Sequence, residues 1–347
     1  MKKILFLFLV SAFVNLLAVD PALDRKSAFY VQFGYGNWSP GSVKNFFSLQ
    51  QSSNYNSLFN LPYPTSHPLK FNVANSLGTS AAKNLGFGFI FGSKSGGHRG
   101  NLSFNMLYTG DNHFGNPYYS KLASASETEL GVQVFSLNPI QKGSVQYDHD
   151  FYLIPDHKSK WVSGIGLKLG ALAQYDTFSG NFTPYTATNS ITASSQVADL
   201  RIPIKYDVNY RDPSALGILG LVYRLALFPN HEFELGANYY YGRSKTRFTL
   251  ANLSMITLGE YRIPFQNDYE YKANTDIEGM AYIFGYTYKI SHSRSINFFY
   301  NLRDLMQTPT KLETRISGAS PIFGASGPFQ GVRDRSSTFG FQFQVRY

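Results

Sequence analysis

Cysteine is absent from all 347 residues. That excludes a disulfide framework, a thiol-linked lipid anchor and cysteine-ligated metal. Charge is scarce: 15% of residues are charged, against about 25% in an ordinary soluble domain. Long apolar runs are missing too. Beyond the N-terminus no segment approaches the length of a bilayer-spanning helix, so helical membrane spans are excluded. The 7 histidines are scattered and form no metal-ligand cluster.

What the chain has is aromatic residues at 16%, with 25 Tyr and 30 Phe, and 30 Gly. Its hydrophobicity is spread thinly. Strands with one face toward lipid and the other toward water need that distribution. The net charge of +9 suits small anionic solutes or the acidic sugars of lipopolysaccharide. Lys and Arg nowhere cluster more densely than on an ordinary surface, so nucleic acid is not an expected partner.

Residues 1–18 carry the pattern of a secretory signal. Lys2 and Lys3 precede an apolar stretch from Ile4 to Val14 that only Ser11 interrupts, and Ala18 is the expected residue before the cut. Residues 19–26 then form a short periplasmic segment, and 27–347 a single barrel domain.

Period-two alternation organises the rest, placing alternate side chains on opposite faces. Phe339, Phe341, Phe343, Val345 and Tyr347 share one face of the last segment, and Gly340, Gln342, Gln344 and Arg346 the other. The pattern recurs around Phe29–Tyr35, Leu85–Phe91, Leu102–Tyr108, Ser144–Ile154, Ile165–Ala173, Leu219–Leu225, Phe233–Tyr241, Met280–Tyr288 and Ile296–Tyr300. Short and long spacers alternate between these segments. The short ones hold turn residues, and the long ones run roughly over 39–80, 112–143, 177–212, 247–276 and 306–334. The expected fold is all-β: a transmembrane antiparallel up-and-down β-barrel of about ten strands, within a range of eight to fourteen. Its short turns are periplasmic and its long loops extracellular. Further alternation at Thr128–Val134 and Leu200–Val208 reads as strand extension or an extra hairpin. Tyr35, Trp38, Tyr108, Trp161, Tyr175, Tyr239 to Tyr241 and Tyr300 read as interfacial girdles.

The last segment resembles the assembly signal of bacterial outer-membrane β-barrel proteins of the porin-like kind. Thr338 stands at its polar position, Gly340 at its glycine, and Phe343, Val345 and Tyr347 form its hydrophobic series; a terminal Tyr departs from the commoner Phe. The resemblance implies residence in the outer membrane, contact with its lipids and lipopolysaccharide, and insertion by the barrel-assembly machinery. It implies no substrate.

Catalytic constellations are weak. Asp111 and His113 have the one-residue gap of the Asp–His pair in omptin-type surface proteases, and Asp148 and Asp150, expected near the loop end of the fourth strand, form an Asp-x-Asp. In omptins the two pairs come from opposite walls, with the aspartates first; here that order is reversed. His157 with Ser159, and His292 with Ser293, fall in expected turns. Gly34-Tyr35-Gly36 and Gly86-Phe87-Gly88 lack the helix that a nucleotide loop needs. No catalytic, metal or cofactor site is therefore expected.

The inward set holds Asp148, Asp150, Lys168, Arg224, Glu234, Asn238, Lys289, Asn301, Arg303, Gln342, Gln344 and Arg346. These groups either pair across a filled interior or line a narrow aqueous path, since about eight strands leave room only for side chains. A narrow porin-like channel for small polar or anionic solutes ranks first. A surface adhesin or binding protein acting through the loops follows, and a rim-sited protease or lipid A-modifying enzyme comes last.

Overall fold

The computed structural model describes residues 27–52, 79–93, 97–110, 112–121, 128–155, 159–186, 206–228, 230–258, 261–316, 321–326 and 329–347. The signal and linker segments expected at 1–18 and 19–26 lie outside the described residues, as do Asp111, His157 and residues 200–205. The elements in chain order are β1 (Ala28–Ser39), α1 (Gly41–Ser52), β2 (Ser80–Gly92), β3 (His98–Thr109), β4 (Asn112–Lys121), β5 (Thr128–Leu137), β6 (Gln141–Tyr152), α2 (Lys160–Ser163), β7 (Ile165–Thr186), β8 (Tyr206–Phe228), β9 (His231–Leu258), β10 (Tyr261–Lys289), β11 (Arg294–Ile316), β12 (Pro321–Ser326) and β13 (Val332–Arg346).

Ten of these strands close a barrel in the order β1-β2-β3-β6-β7-β8-β9-β10-β11-β13, each antiparallel to its neighbours. The seam joins β13 to β1 from Ala28↔Arg346 to Ser39↔Arg335. Both ends of the chain's wall meet at the turn end, where the Tyr347 amide donates to the Ser27 carbonyl at 3.0 Å. Close approach at the seam requires glycine: a Cβ on Gly340 would overlap the Phe33 carbonyl oxygen.

The alternation near Thr128 belongs to an extra hairpin. β4 and β5 pair with each other, and β5 joins β7 only beyond the point where β6 begins, at Leu137↔Gly180 against Gln141↔Thr177. The hairpin therefore raises the rim without widening the barrel. β12 does the same beside β11.

The strands are longer than the sequence suggested. β7 to β11 run to between 22 and 29 residues, while about 9–11 cross a membrane. Their lower halves point Leu167, Leu169, Leu219, Leu221, Phe233, Leu235, Tyr282 and Phe284 outward, all exposed. Higher up the pattern inverts. Tyr206, Val208, Tyr210, Phe248, Leu250, Tyr269 and Tyr271 point inward and are buried, while Asp207, Asn209, Arg211, Lys245, Arg247 and Lys272 alternate outward. The apolar side faces lipid where there is lipid. Above it, the apolar side faces whatever fills the mouth.

Candidate functional site in the barrel interior

The mouth is filled by α1. The helix follows Pro40, which suits a first helical turn, and turns inward immediately after β1. Val43, Phe46 and Leu49 recur at helical spacing and are buried in a cluster with Trp38, Phe178, Tyr210, Phe248 and Tyr271. Phe46 meets Phe248 edge-on at 4.9 Å and Phe178 at 6.0 Å. The opposite face is buried as well: Asn45 donates to Tyr210 at 3.5 Å and to Thr246 at 3.4 Å. Lys44 donates to the Arg333 carbonyl at 3.1 Å. Burial lowers the Lys44 ammonium below its ordinary value, an effect that nearby Asp334 opposes.

Beneath the helix lies a charged layer centred on Asp334 of β13. Its carboxylate accepts the Trp38 indole N–H at 2.7 Å and the Gly41 backbone N–H at 3.2 Å, so it caps the helix N-terminus. It also pairs with Lys142 of β6, which reaches Asp176 of β7 at 3.4 Å. Asp176 stands directly opposite Asp212 across the β7–β8 ladder, and Asp212 accepts from Thr246 at 2.9 Å. Arg303 donates to Gln174 at 2.6 Å and lies over the Tyr240 ring.

A second charged layer sits at the turn end. Arg224 on β8 pairs with Glu234 at 2.8 Å and Glu232 at 3.2 Å. Arg99 reaches Glu234 at 3.7 Å, and Lys289 reaches Glu232 at 3.9 Å. Lys168 pairs with Asp150 at 3.4 Å, and Gln146 donates to Asp148 at 2.8 Å. Strand geometry explains the pairing. Glu232 and Glu234, like Asp148 and Asp150, are two residues apart and share the inner face. Asp150 stands in register with Arg99 on one side and Lys168 on the other.

Between the layers the interior is divided. Leu172, Leu216, Ile218, Tyr240, Ile277, Ala281 and Leu305 pack together from the β7–β11 wall. The other side encloses a polar cavity of about 220 Å³. Its charged lining comprises Arg99, Lys142, Lys168, Arg224 and Arg303 against Asp148, Asp150 and Glu234, with amides from Gln32, Asn101, Asn105 and Gln342 among them. The cavity admits water and small polar groups; drug-sized ligands occupy about 300–1,000 Å³.

Of the inward residues expected from sequence, Asp148, Asp150, Lys168, Arg224, Glu234, Asn301, Arg303, Gln342 and Gln344 line this cavity. Asn238 faces inward, fully buried, over Gly220. Lys289 and Arg346 stand outside the cavity lining, at the turn end. In the terminal segment, Thr338 and Gly340 turn inward while Phe343, Val345 and Tyr347 are exposed outside. Several placements correct the sequence expectations. Trp38 and Tyr240 are not girdle residues; both point into the barrel, at 0% and 4% exposure. Asp148 and Asp150 lie toward the turn end, because β6 descends from the mouth, whereas His113 lies on the rim hairpin. The barrel's height separates His113 from Asp148 and Asp150. Leu225 is buried although it keeps its register opposite outward Phe233; the bulge between Ala226 and Phe228 comes only after it. Ser159 precedes α2, its carbonyl accepting the Val162 and Ser163 amides, and Ser293 lies in the exposed β10–β11 turn.

Sequence reasoning missed Lys142, Asp176, Asp212, Asp334 and α1. The usable signal was alternation carried past the membrane: Asp176 shares a face with Leu172 and Gln174, and Asp212 with Ser214 and Leu216.

A closed wall with an apolar outer belt and polar groups gathered inside is decisive. The molecule is a bacterial outer-membrane β-barrel. No family model matches the chain, and no curated protein matches it. Among solved structures it is similar to the outer membrane protease OmpT from Escherichia coli at 7% identity and TM-score 0.44, covering 94% of this chain and 98% of that one. It is also similar to the toluene transporter TbuX of Ralstonia pickettii, at 10% identity and TM-score 0.33, with 97% and 93% covered. A third is the translocator domain of the autotransporter NalP from Neisseria meningitidis, at 8% identity and TM-score 0.29, with 98% and 97% covered. These likenesses carry nothing about activity; the class rests on the barrel's own geometry.

Proposed function

We propose that the barrel is a narrow conduit for small polar, preferentially anionic solutes, held shut at its outer mouth by α1. The observation that carries this reading is the interior cavity, where five cationic side chains face three carboxylates. The lining is mixed but positive in excess, and an excess of one sign within a low-dielectric wall concentrates counter-ions. The stopper is a helix from a connecting segment and not a wall strand, so its release would leave the hydrogen-bonded wall intact. The test is uptake into vesicles carrying the refolded full chain with Phe46→Ala and Leu49→Ala, which remove the buried anchors of the stopper. A small carboxylate should enter faster than a cation of equal size, and empty vesicles should admit neither. Equal rates, or faster cation entry, would contradict the selectivity.

A second reading, surface binding, is favoured by one observation. β8 to β11 carry 23 to 29 residues each, so more than half of each strand projects beyond a crossing of about 9–11 residues. A barrel silent in transport under all conditions, yet able to hold a ligand through residues above the belt, would be this second kind.

A further inference from the structure

Asp176 of β7 and Asp212 of β8 stand in register on the inner face, at 0% and 3% exposure. Both lie eleven residues above the turn-end pair Ile165↔Tyr223, just beyond a crossing of about 9–11 residues. They belong to the charged layer beneath α1. Like charges directly opposite one another on neighbouring strands are destabilising, and the cations present offset this only in part. Lys142 of β6 lies 3.4 Å from Asp176 but also pairs with Asp334 of β13. Arg303 of β11 acts on Asp176 more weakly than Lys142 does. Lys44, the charged residue of α1, acts on Asp334. Among the described residues no hydrogen bond reaches either carboxylate oxygen of Asp176. Asp212 has hydroxyl donors instead: Thr246 at 2.9 Å, with Ser244 and Tyr210 beside it. Burial pushes the Asp176 carboxyl up to about 7 against the pull of Lys142, helped by Asp334 and Asp212. Burial likewise pushes Asp212 up to about 6, against the hydroxyl donors and Lys142.

Two lines of contact join this pair to the helix. Asp176 reaches Lys142, Lys142 reaches Asp334, and Asp334 caps α1 at the Gly41 amide. Asp212 accepts from Thr246, and Thr246 accepts from Asn45 of α1 at 3.4 Å. A second negative charge on the pair would draw Lys142 away from Asp334 and demand water where the helix now excludes it.

We infer that α1 is a proton-controlled stopper: the Asp176–Asp212 pair holds a proton while the helix is seated and gives it to water when the helix leaves, so that acid closes the mouth and alkali opens it. The consequence for transport rests on the conduit proposed above; the helix transition does not. With the helix released, both carboxyls are hydrated and ionise near their ordinary value of about 4. The seated form therefore binds the proton more tightly. Its advantage is complete below about pH 4 and is lost as the pH rises through about 6 to 7, by about tenfold per pH unit for one proton.

The test follows α1 in the refolded full chain in vesicles from about pH 5 to about pH 8. Amide exchange across 41–52, corrected for its intrinsic pH dependence, reports release, and so does Trp38 fluorescence in a Trp161→Phe background. The released fraction should rise at least tenfold across this range. D176N/D212N, neutral at every pH, should keep the helix seated and the response flat. Asp176→Asn alone should also flatten it, and serves if the double variant lacks the gel mobility shift of a folded barrel. Glu313→Gln, on the outer face beside Arg315, should respond like the wild type. A flat wild-type response would overturn the proposal, and so would an undiminished response in both Asp variants. Conductance of the same samples separates the two claims. Release at high pH without conductance would support the switch and contradict the conduit. Conductance of the Phe46→Ala/Leu49→Ala variant, with α1 of the wild type indifferent to pH, would overturn the switch and leave the conduit standing.

Discussion

The Trp38 indole of β1 donates to the Asp334 carboxylate of β13 at 2.7 Å, and the same carboxylate caps α1 through the Gly41 amide. One residue of the wall thus ties the barrel seam, the helix start and the Lys142 ion pair together. Asp334→Ala removes all three. The chain has 2 tryptophans, of which Trp38 is fully buried and Trp161 about half exposed. In a Trp161→Phe background the fluorescence of Trp38 reports the tie alone. Asp334→Ala should shift its emission to the red and raise amide exchange across 41–52. Unchanged emission would mean the helix is held without Asp334.

Lys142 stands between Asp176 and Asp334, all three almost fully buried. Lys142→Met keeps the volume and leaves the two carboxylates without an ion-pair partner, with Arg303 as the nearby cation. Breaking a buried pair this way costs on the order of 3–5 kcal/mol. Urea unfolding in vesicles should show a loss of that size. A loss below about 1 kcal/mol would place this layer among the weak surface-like pairs.

Gly340 lies where β13 passes β1, in register with Gly34. Gly340→Val would drive its side chain into the Phe33 carbonyl and the Phe299 ring. The seam should fail to close, and the protein should lose the mobility difference between unboiled and boiled samples on gel electrophoresis. Retention of that difference would show that the seam can yield at this point.

The wall was legible in the sequence and the mouth was not. Each of the ten wall strands announces itself by an outward apolar stripe, such as Leu85, Phe87 and Phe91 or Phe339, Phe341 and Phe343. Lipid imposes that stripe, so it stops where lipid stops. Above the belt Phe248 and Leu250 point inward while Lys245 and Arg247 point outward. A search for outward apolar residues meets a polar face there and reports a loop. Trp38 was misplaced for a related reason: an aromatic at a strand end fits a girdle, and its inward direction follows only from the position of α1. The turn-end charges were legible because Asp148, Asp150, Lys168, Arg224 and Glu234 fall inside recognisable membrane segments. Asp176, Asp212 and Asp334 fall in stretches that read as spacers.

The claim that α1 closes a conduit is tested most directly by planar-bilayer recording of the full chain beside the Phe46→Ala/Leu49→Ala variant. Each truncation removes a fully buried anchor and costs about 2–5 kcal/mol of packing, enough to unseat the helix while the wall hydrogen bonds stay in place. The wild type should be mostly silent. The variant should show reproducible conductance steps whose reversal potential in a salt gradient indicates anion preference. A variant that folds with the usual gel mobility shift yet remains as silent as the wild type would contradict the account.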